Sequence, residues 1–156
     1  MRELAFDVHA AVDDRASAGG RYSAEIVESM VASVHEAQRR SGAREVILIG
    51  YSGGGVLAVL IAERMERAQA VVTLAANLDT DAWTEHHGYL PLSQSLNPSR
   101  SEQPHPWPEL HLQGGADRVA HPDLEAAGAW ADRVHGRDQR RELALEEAVV
   151  QLGRDH

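Results

Sequence analysis

The chain has 156 residues, of which 43% are hydrophobic and 25% are charged, a composition typical of one compact globular domain. Its formal net charge is −9 without a basic cluster, so nucleic acid is not expected as a partner, and the lack of cysteine excludes disulfides and a cysteine nucleophile. The opening segment lacks the apolar core of a signal peptide, and no window reaches the roughly 18 consecutive apolar residues of a membrane span. A cytoplasmic protein without a membrane span is therefore expected.

The first part of the chain predicts a lead-in and then a long helix. Residues 1–21 end in the polar, glycine-rich stretch DDRASAGG and are predicted as a loop, with at most one short strand at 4–8. From Tyr22 to about Gly42, apolar residues recur at helical spacing, and Ser23 is placed to cap this helix.

The middle of the chain alternates between buried strands and helices. Four consecutive apolar residues at 46–49 predict a strand buried on both faces, as in parallel sheets. A buried helix is predicted at 56–68, a second buried strand at 70–77 and a short third strand at 109–115. Residues 78–109 are expected to be irregular because prolines interrupt any regular element.

The last part of the chain predicts helices at about 123–134 and 141–148 and a final strand at 148–152. Strands and helices thus alternate along the sequence. This alternation predicts an α/β fold, with a mostly parallel sheet and flanking helices, in a single domain that spans 1–156.

A single serine lies at the tight turn between the first buried strand and the helix after it. The pentapeptide GYSGG (50–54) matches the G-x-S-x-G pattern of a nucleophile elbow, in which a strained serine is exposed at the end of a sheet. Side chains two residues either side of Ser52 would collide, so Gly50 and Gly54 fit this turn. The N–H of Gly53, at the amino end of the helix, would donate to a developing oxyanion.

Two other hypotheses account for these glycines: a plain glycine-rich connection and a phosphate-binding loop. Neither G-x-x-x-x-G-K-[ST] nor G-x-G-x-x-G occurs at this turn, which weakens the phosphate hypothesis. The position of the turn between two buried elements favours the elbow.

A serine nucleophile needs a base, and the base needs an acid that orients it. In the chain order that follows an elbow, the acid comes next, after a later strand. Asp117 follows the strand at 109–115 and is the predicted acid, although turn aspartates are common. Asp123 competes with it, but its position in HPDLEAA is typical of a helix cap.

Three histidines follow Asp117 and could supply the base. His121 lies four residues past Asp117 in the same loop, too near to approach from a separate strand. His135 lies at a predicted helix end, where histidines commonly meet helix carbonyls. His156 follows the predicted last strand and is the first choice, with His135 second.

The irregular segment contains other residues that could carry chemistry. His86 and His87 suggest a metal site, but adjacent side chains rarely converge on one ion and no further ligand stands at helical spacing beside them. A polar loop is the preferred interpretation. Trp83, Tyr89 and Trp107 either line a site or cover one.

These residues resemble the α/β-hydrolases, in particular small bacterial serine-hydrolase-like members. The resemblance rests on VILIGYSGGGVLAVLIAERM, VVTLAANLDTDAWTEHHGYLPLSQSLNP and LHLQGGADRV and covers roughly residues 22–122. It implies a catalytic triad of Ser52, Asp117 and His156, because VVQLGRDH is similar to the family's final strand and histidine.

The resemblance also implies that strands are missing ahead of the elbow strand. Members of the family have several strands there, and the loop after one of them supplies a second oxyanion donor. Here residues 1–45 predict little more than a loop and one helix, so the chain resembles the last two thirds of a hydrolase. Residues 17–21 could offer a backbone donor.

Two hypotheses about function follow. In the first, the protein is a serine hydrolase that cleaves a small-molecule ester through an acyl-enzyme, with neither metal nor organic cofactor. In the alternative, it is a non-catalytic, hydrolase-like remnant that binds a ligand or another chain. Missing strands would leave the elbow strand or its neighbour at an exposed sheet edge, where a second copy could pair to form a homo-oligomer.

Overall fold

A computed structural model describes residues 3–7, 19–101 and 105–113. It contains a parallel sheet and helices, which confirms the α/β class. The strands are β1 (Glu3–Asp7), β2 (Glu45–Tyr51), β3 (Ala68–Leu74) and β4 (Glu109–Leu112). The helices are α1 (Ala24–Ser41), α2 (Gly53–Ala62) and α3 (Thr80–His86), with a 3-10 turn at Pro98–Arg100.

The described sheet has its strands in sequential order, β1-β2-β3-β4, and every pair is parallel. The strand at Glu3–Asp7 agrees, within one residue at each end, with the one short strand that the sequence allowed at 4–8 in the lead-in. Because β1 pairs with β2 from Glu3↔Glu45 to Asp7↔Ile49, the strand before Ser52 is paired on both sides. The strand before Ser52 is therefore not at an edge of the described sheet, but its neighbour β1 is, and β4 forms the other edge. An edge at the neighbour is one of the two arrangements that missing strands were expected to leave.

Helix α1 has the two ends that its sequence predicts. The Ser23 hydroxyl accepts a hydrogen bond from the N–H of Ile26 at 3.4 Å, as expected of an N-cap. At the other end Gly42 has a φ of 71°, and its N–H donates to the carbonyl of Gln38. Val27 and Val34 are fully buried, so these two residues mark the face that meets the core.

The core lies on both faces of the sheet. On one face, Val46, Leu48 and Val71 pack with the side chains of α1 and α2. On the other face, Ile47, Ala70 and Val72 form a second cluster. This confirms the prediction that the strand at 46–49 is buried on both faces. A polar side chain can therefore reach solvent only beyond the end of this strand.

The boundaries of α2, β3 and β4 differ from the sequence-based expectation, and β4 ends at Leu112 rather than at residue 115. Helix α2 starts at Gly53 rather than residue 56, because the glycines already form its first turn, and it ends at Ala62, where turns at 63–67 lead into β3. Strand β3 ends at Leu74 because Ala75 has a φ of 49°, which no strand residue adopts.

The segment 78–109 contains more regular structure than its prolines suggest. Helix α3 forms because the Asp79 carboxylate accepts from the N–H of Ala82 at 3.1 Å and caps the first turn. The Asn97 side chain donates to Asp81 at 2.8 Å, and Arg100 pairs with Asp81 at 2.7 Å, which ties α3 to the 3-10 turn. The helices predicted at 123–134 and 141–148 and the strand at 148–152 lie outside the described residues.

Within the described ranges, no helix combines the length and apolar character that crossing a bilayer requires.

Candidate functional site

Ser52 occupies the turn where β2 ends and α2 begins, and its backbone is strained. Its φ is 52° and its ψ is −124°, a combination outside the left-handed region that non-glycine residues occasionally visit. The N–H of Ser52 donates to the carbonyl of Leu74 at 2.8 Å, and its own carbonyl accepts from Gly55 at 2.9 Å. The backbone angles confirm the strain that the sequence predicts at Ser52. The two hydrogen bonds hold the turn between the next strand and the helix.

The glycines of the turn are required by close backbone approach. A Cβ on Gly50 would lie 2.2 Å from the carbonyl oxygen of Gly54 and 2.5 Å from the nitrogen of Gly55. The collision predicted for a side chain at position 50 is therefore present, and it is with the backbone at Gly54 and Gly55. Gly55, which the G-x-S-x-G pattern does not include, is equally constrained, because its Cβ would lie 2.5 Å from the Cβ of Ala76.

The amino end of α2 offers a hydrogen-bond donor beside Ser52. Gly53 is the first residue of this helix, and its N–H has no partner among residues 19–101 and 105–113. The Ser52 hydroxyl makes no capping hydrogen bond to the helix, and the residue is half-buried. Within the described ranges, a hydroxyl and an N–H without a partner thus stand at the positive end of the helix dipole, where a developing negative charge is stabilised.

The strain at Ser52 makes a prediction about stability. Ser52→Gly should raise the free energy of unfolding by about 1 kcal/mol, because relief of roughly 1–3 kcal/mol of backbone strain outweighs roughly 0.5–1 kcal/mol of added chain entropy. Ser52→Ala keeps the Cβ and the strain, so its stability should stay near that of the unchanged protein. Urea unfolding of both variants measures the difference, and equal stabilities for the two would contradict a strained turn.

The structure does not test the remaining members of the predicted triad. Asp117, His156 and the second-choice base His135 lie outside the described residues, as do His121 and Asp123. Of the predicted site residues, the structure describes Ser52, Gly50, Gly53 and Gly54, which lie together at the turn between β2 and α2.

The aromatic residues singled out in the sequence fall into two places. Trp83 and Tyr89 line a cavity of about 590 Å³ between α3 and the segments at 19–21 and 89–94, and Ser52 is not among its lining residues. His87 contacts both aromatic rings, with centroids 5.6 Å and 5.4 Å away. Trp107 is buried and stacks on His105. Among the described residues, no group of three or more histidines and acids is placed to hold a metal ion.

A buried chain of imidazoles and carboxylates joins the end of α2 to β4. We call it the His–Glu cluster; it comprises Glu63, Thr73, His105, Glu109 and His111. His105 lies 3.0 Å from the Glu63 carboxylate and bonds Glu109 through its other ring nitrogen. His111 lies 3.2 Å from Glu109 and 2.8 Å from the Thr73 hydroxyl. The side chain of Glu109 is 3% exposed, so this carboxylate depends on its protein partners.

The His–Glu cluster shifts two pKa values in opposite directions. Burial alone would lower the pKa of His105, but hydrogen bonds to Glu109 and Glu63, with the charges of both acids, raise it to about 9. Burial would raise the pKa of Glu109, but hydrogen bonds from His105 and His111 outweigh it and lower the pKa to about 2. At neutral pH the cluster therefore holds a charged imidazolium against a charged carboxylate.

The sequence analysis missed this cluster, although HPWPELH carries part of its pattern. Glu109 and His111 alternate along β4 and so share the sheet face of Val71 and Thr73, to which the strand register joins them. His105 and Glu63 reach the cluster from a loop and a helix end, which no sequence spacing indicates.

Comparison of the chain with protein-family models, with curated proteins and with solved structures gave no match.

Proposed function

We propose that this protein is a serine hydrolase that cleaves carboxylic esters of small molecules through an acyl-enzyme intermediate. The observation that carries the proposal is the strained Ser52 backbone on a strand-to-helix turn, with Gly50 unable to accept a Cβ. Strain of this kind persists only where the surrounding structure enforces it, and it concentrates at functional sites. A plain glycine-rich connection would place glycine, not serine, at the strained position.

The proposed reaction begins with attack by the Ser52 oxygen on the ester carbonyl carbon, while a base takes the hydroxyl proton. The carbonyl π electrons move to oxygen, and the resulting oxyanion accepts a hydrogen bond from Gly53 N–H. Collapse re-forms the carbonyl, and the alcohol leaves with the proton that the base returns. Water then releases the acid by the same two steps. We assign the base to His156 and its orienting acid to Asp117, as the chain order after an elbow implies.

The alternative, a non-catalytic remnant, is compatible with the sheet, because β1, the neighbour of β2, is an outer strand among the described residues. What disfavours it is Ser52: a binding module would have no use for strain at a serine, which costs stability and is readily removed by mutation to glycine.

Labelling with a fluorophosphonate probe tests the proposed function. The Ser52 oxygen should displace fluoride from phosphorus, and mass spectrometry of peptides should find the adduct at Ser52. Ser52→Ala should abolish labelling, whereas Ser33→Ala, which removes a hydroxyl bonded to Ser29 on the surface of α1, should not. His156→Ala and His135→Ala then identify the base. A folded protein that carries no adduct at Ser52 would overturn the proposal and favour the remnant.

A further inference from the structure

The residues just before α1 lie beside the turn at Ser52. Because β1 lies parallel to β2, with Asp7 opposite Ile49, both strands end at the same edge of the sheet. At the start of α1, Tyr22 is fixed by two hydrogen bonds to a distant segment: its N–H donates to the Ser95 hydroxyl at 3.1 Å, and its carbonyl accepts from Leu96 at 2.9 Å. Tyr22 thus has a defined position beside the first turn of α2.

The hydroxyl of Tyr22 is the part of the side chain that reaches the elbow. A Cβ on Gly53 would lie 2.7 Å from the Tyr22 oxygen, whereas the nearest ring carbons would be 3.6 Å away. Gly53 therefore leaves room for a hydroxyl and for little else. The Tyr22 residue is only 6% exposed, so water does not surround this hydroxyl as it would a surface tyrosine.

The Tyr22 hydroxyl keeps a proton that it can donate. Burial raises the pKa of this hydroxyl, and the nearby Arg21 guanidinium lowers it by a smaller amount, so it stays protonated at neutral pH. The Tyr22 O–H can therefore donate to an acceptor at the first turn of α2, which its oxygen adjoins.

We infer that Tyr22 is the second oxyanion donor of the site, acting with the N–H of Gly53. The inference rests on the proposed function and assigns the donor to a side chain rather than to the backbone of the segment 17–21. When the Ser52 oxygen bonds to the ester carbon, the carbonyl oxygen gains the negative charge and accepts from both Gly53 N–H and Tyr22 O–H. No proton is transferred by Tyr22, which only stabilises the charge until the carbonyl re-forms.

Tyr22→Phe removes this one hydroxyl and keeps the ring. With p-nitrophenyl butyrate as substrate, kcat should fall about 100-fold or more while KM changes little, because the bond exists only in the transition state. Tyr89→Phe is the matched control: it removes the hydroxyl of an exposed tyrosine that no described contact joins to Ser52 or Gly53, and its kcat should be unchanged.

A double-mutant cycle checks where the hydroxyl lies without measuring activity. Gly53→Ala should lower the melting temperature of the unchanged protein, because the new methyl meets the Tyr22 oxygen at 2.7 Å. In the Tyr22→Phe background the atoms nearest to the new methyl are ring carbons 3.6 Å away, so Gly53→Ala should no longer lower the melting temperature. An equal loss in both backgrounds would overturn the inference.

The outcomes separate the two proposals. Turnover that Ser52→Ala leaves unchanged overturns both the hydrolase and the donor role of Tyr22. Turnover that depends on Ser52 but survives Tyr22→Phe at full kcat overturns only the donor role. A selective loss of kcat in Tyr22→Phe, with the cycle as expected, supports both.

Discussion

Replacing Gly50 with alanine is expected to lower the free energy of unfolding by about 3 kcal/mol or more, at or beyond the upper end of what overpacking costs. The methyl group would lie 2.2 Å from the carbonyl oxygen of Gly54 and 2.4 Å from its carbon. Both atoms belong to the backbone of α2, so no side chain can move aside to make room. The helix would have to shift away from β2, and Ser52 would move with it.

Urea unfolding measures this loss, and Gly19→Ala is its matched control. A Cβ on Gly19 meets its nearest neighbour at 3.8 Å, an ordinary contact, so its stability should change little. Fluorophosphonate labelling of Ser52 should also fall in Gly50→Ala at temperatures where the variant is still folded. If Gly50→Ala were as stable as Gly19→Ala, the close approach of β2 and α2 at the elbow would be wrong.

The elbow could be predicted from the sequence because its determinants are local. A strand that is apolar at four successive positions, a serine and the flanking glycines lie within ten residues, and each constrains its neighbours through the backbone alone. The same holds for the caps of α1, where Ser23 and Gly42 act on residues three or four positions away. Local chemistry of this kind does not depend on the rest of the fold.

The features that were missed depend on contacts between distant parts of the chain. Tyr22 and Gly53 meet because hydrogen bonds to Ser95 and Leu96, more than 70 residues away in the chain, hold Tyr22 beside the first turn of α2. Helix α3 was obscured by nearby prolines, yet its cap at Asp79 and its ties to Asn97 suffice to form it. The His–Glu cluster likewise unites a helix end, a loop and two strands.

Tertiary position also explains why a strained serine is tolerated. The carbonyl of Leu74 in β3 accepts a hydrogen bond from the N–H of Ser52, so the turn cannot relax without breaking this bond between the ends of β2 and β3. Next to it, Ala75 carries the other positive φ of a non-glycine residue in the described part of the chain. Two strained residues on adjacent strand ends share one edge of the sheet, and this edge is where a parallel sheet places its binding groups.

At the opposite end of α2, the His–Glu cluster is expected to stabilise the fold. Glu109→Gln should lower the free energy of unfolding by about 3 kcal/mol at pH 5.5, because it leaves the buried His105 imidazolium without its closest carboxylate. Glu36→Gln is the matched control, since Glu36 also accepts from two basic side chains, Arg39 and Arg40, but at the surface, where no measurable change is expected.

The pH dependence of unfolding gives the cluster a second readout. The pKa of His105 rises from 6.5 to about 9 on folding, so its contribution is complete below pH 6.5 and is lost as the pH rises toward 9. The pKa of Glu109 falls from 4.5 to about 2, so its contribution is complete above pH 4.5 and is lost as the pH falls toward 2. Stability should therefore be greatest between pH 4.5 and 6.5. In Glu109→Gln the free energy of unfolding should change less with pH, both below pH 4.5 and above pH 6.5. A pH dependence as steep as that of the unchanged protein would show that the cluster does not cause it.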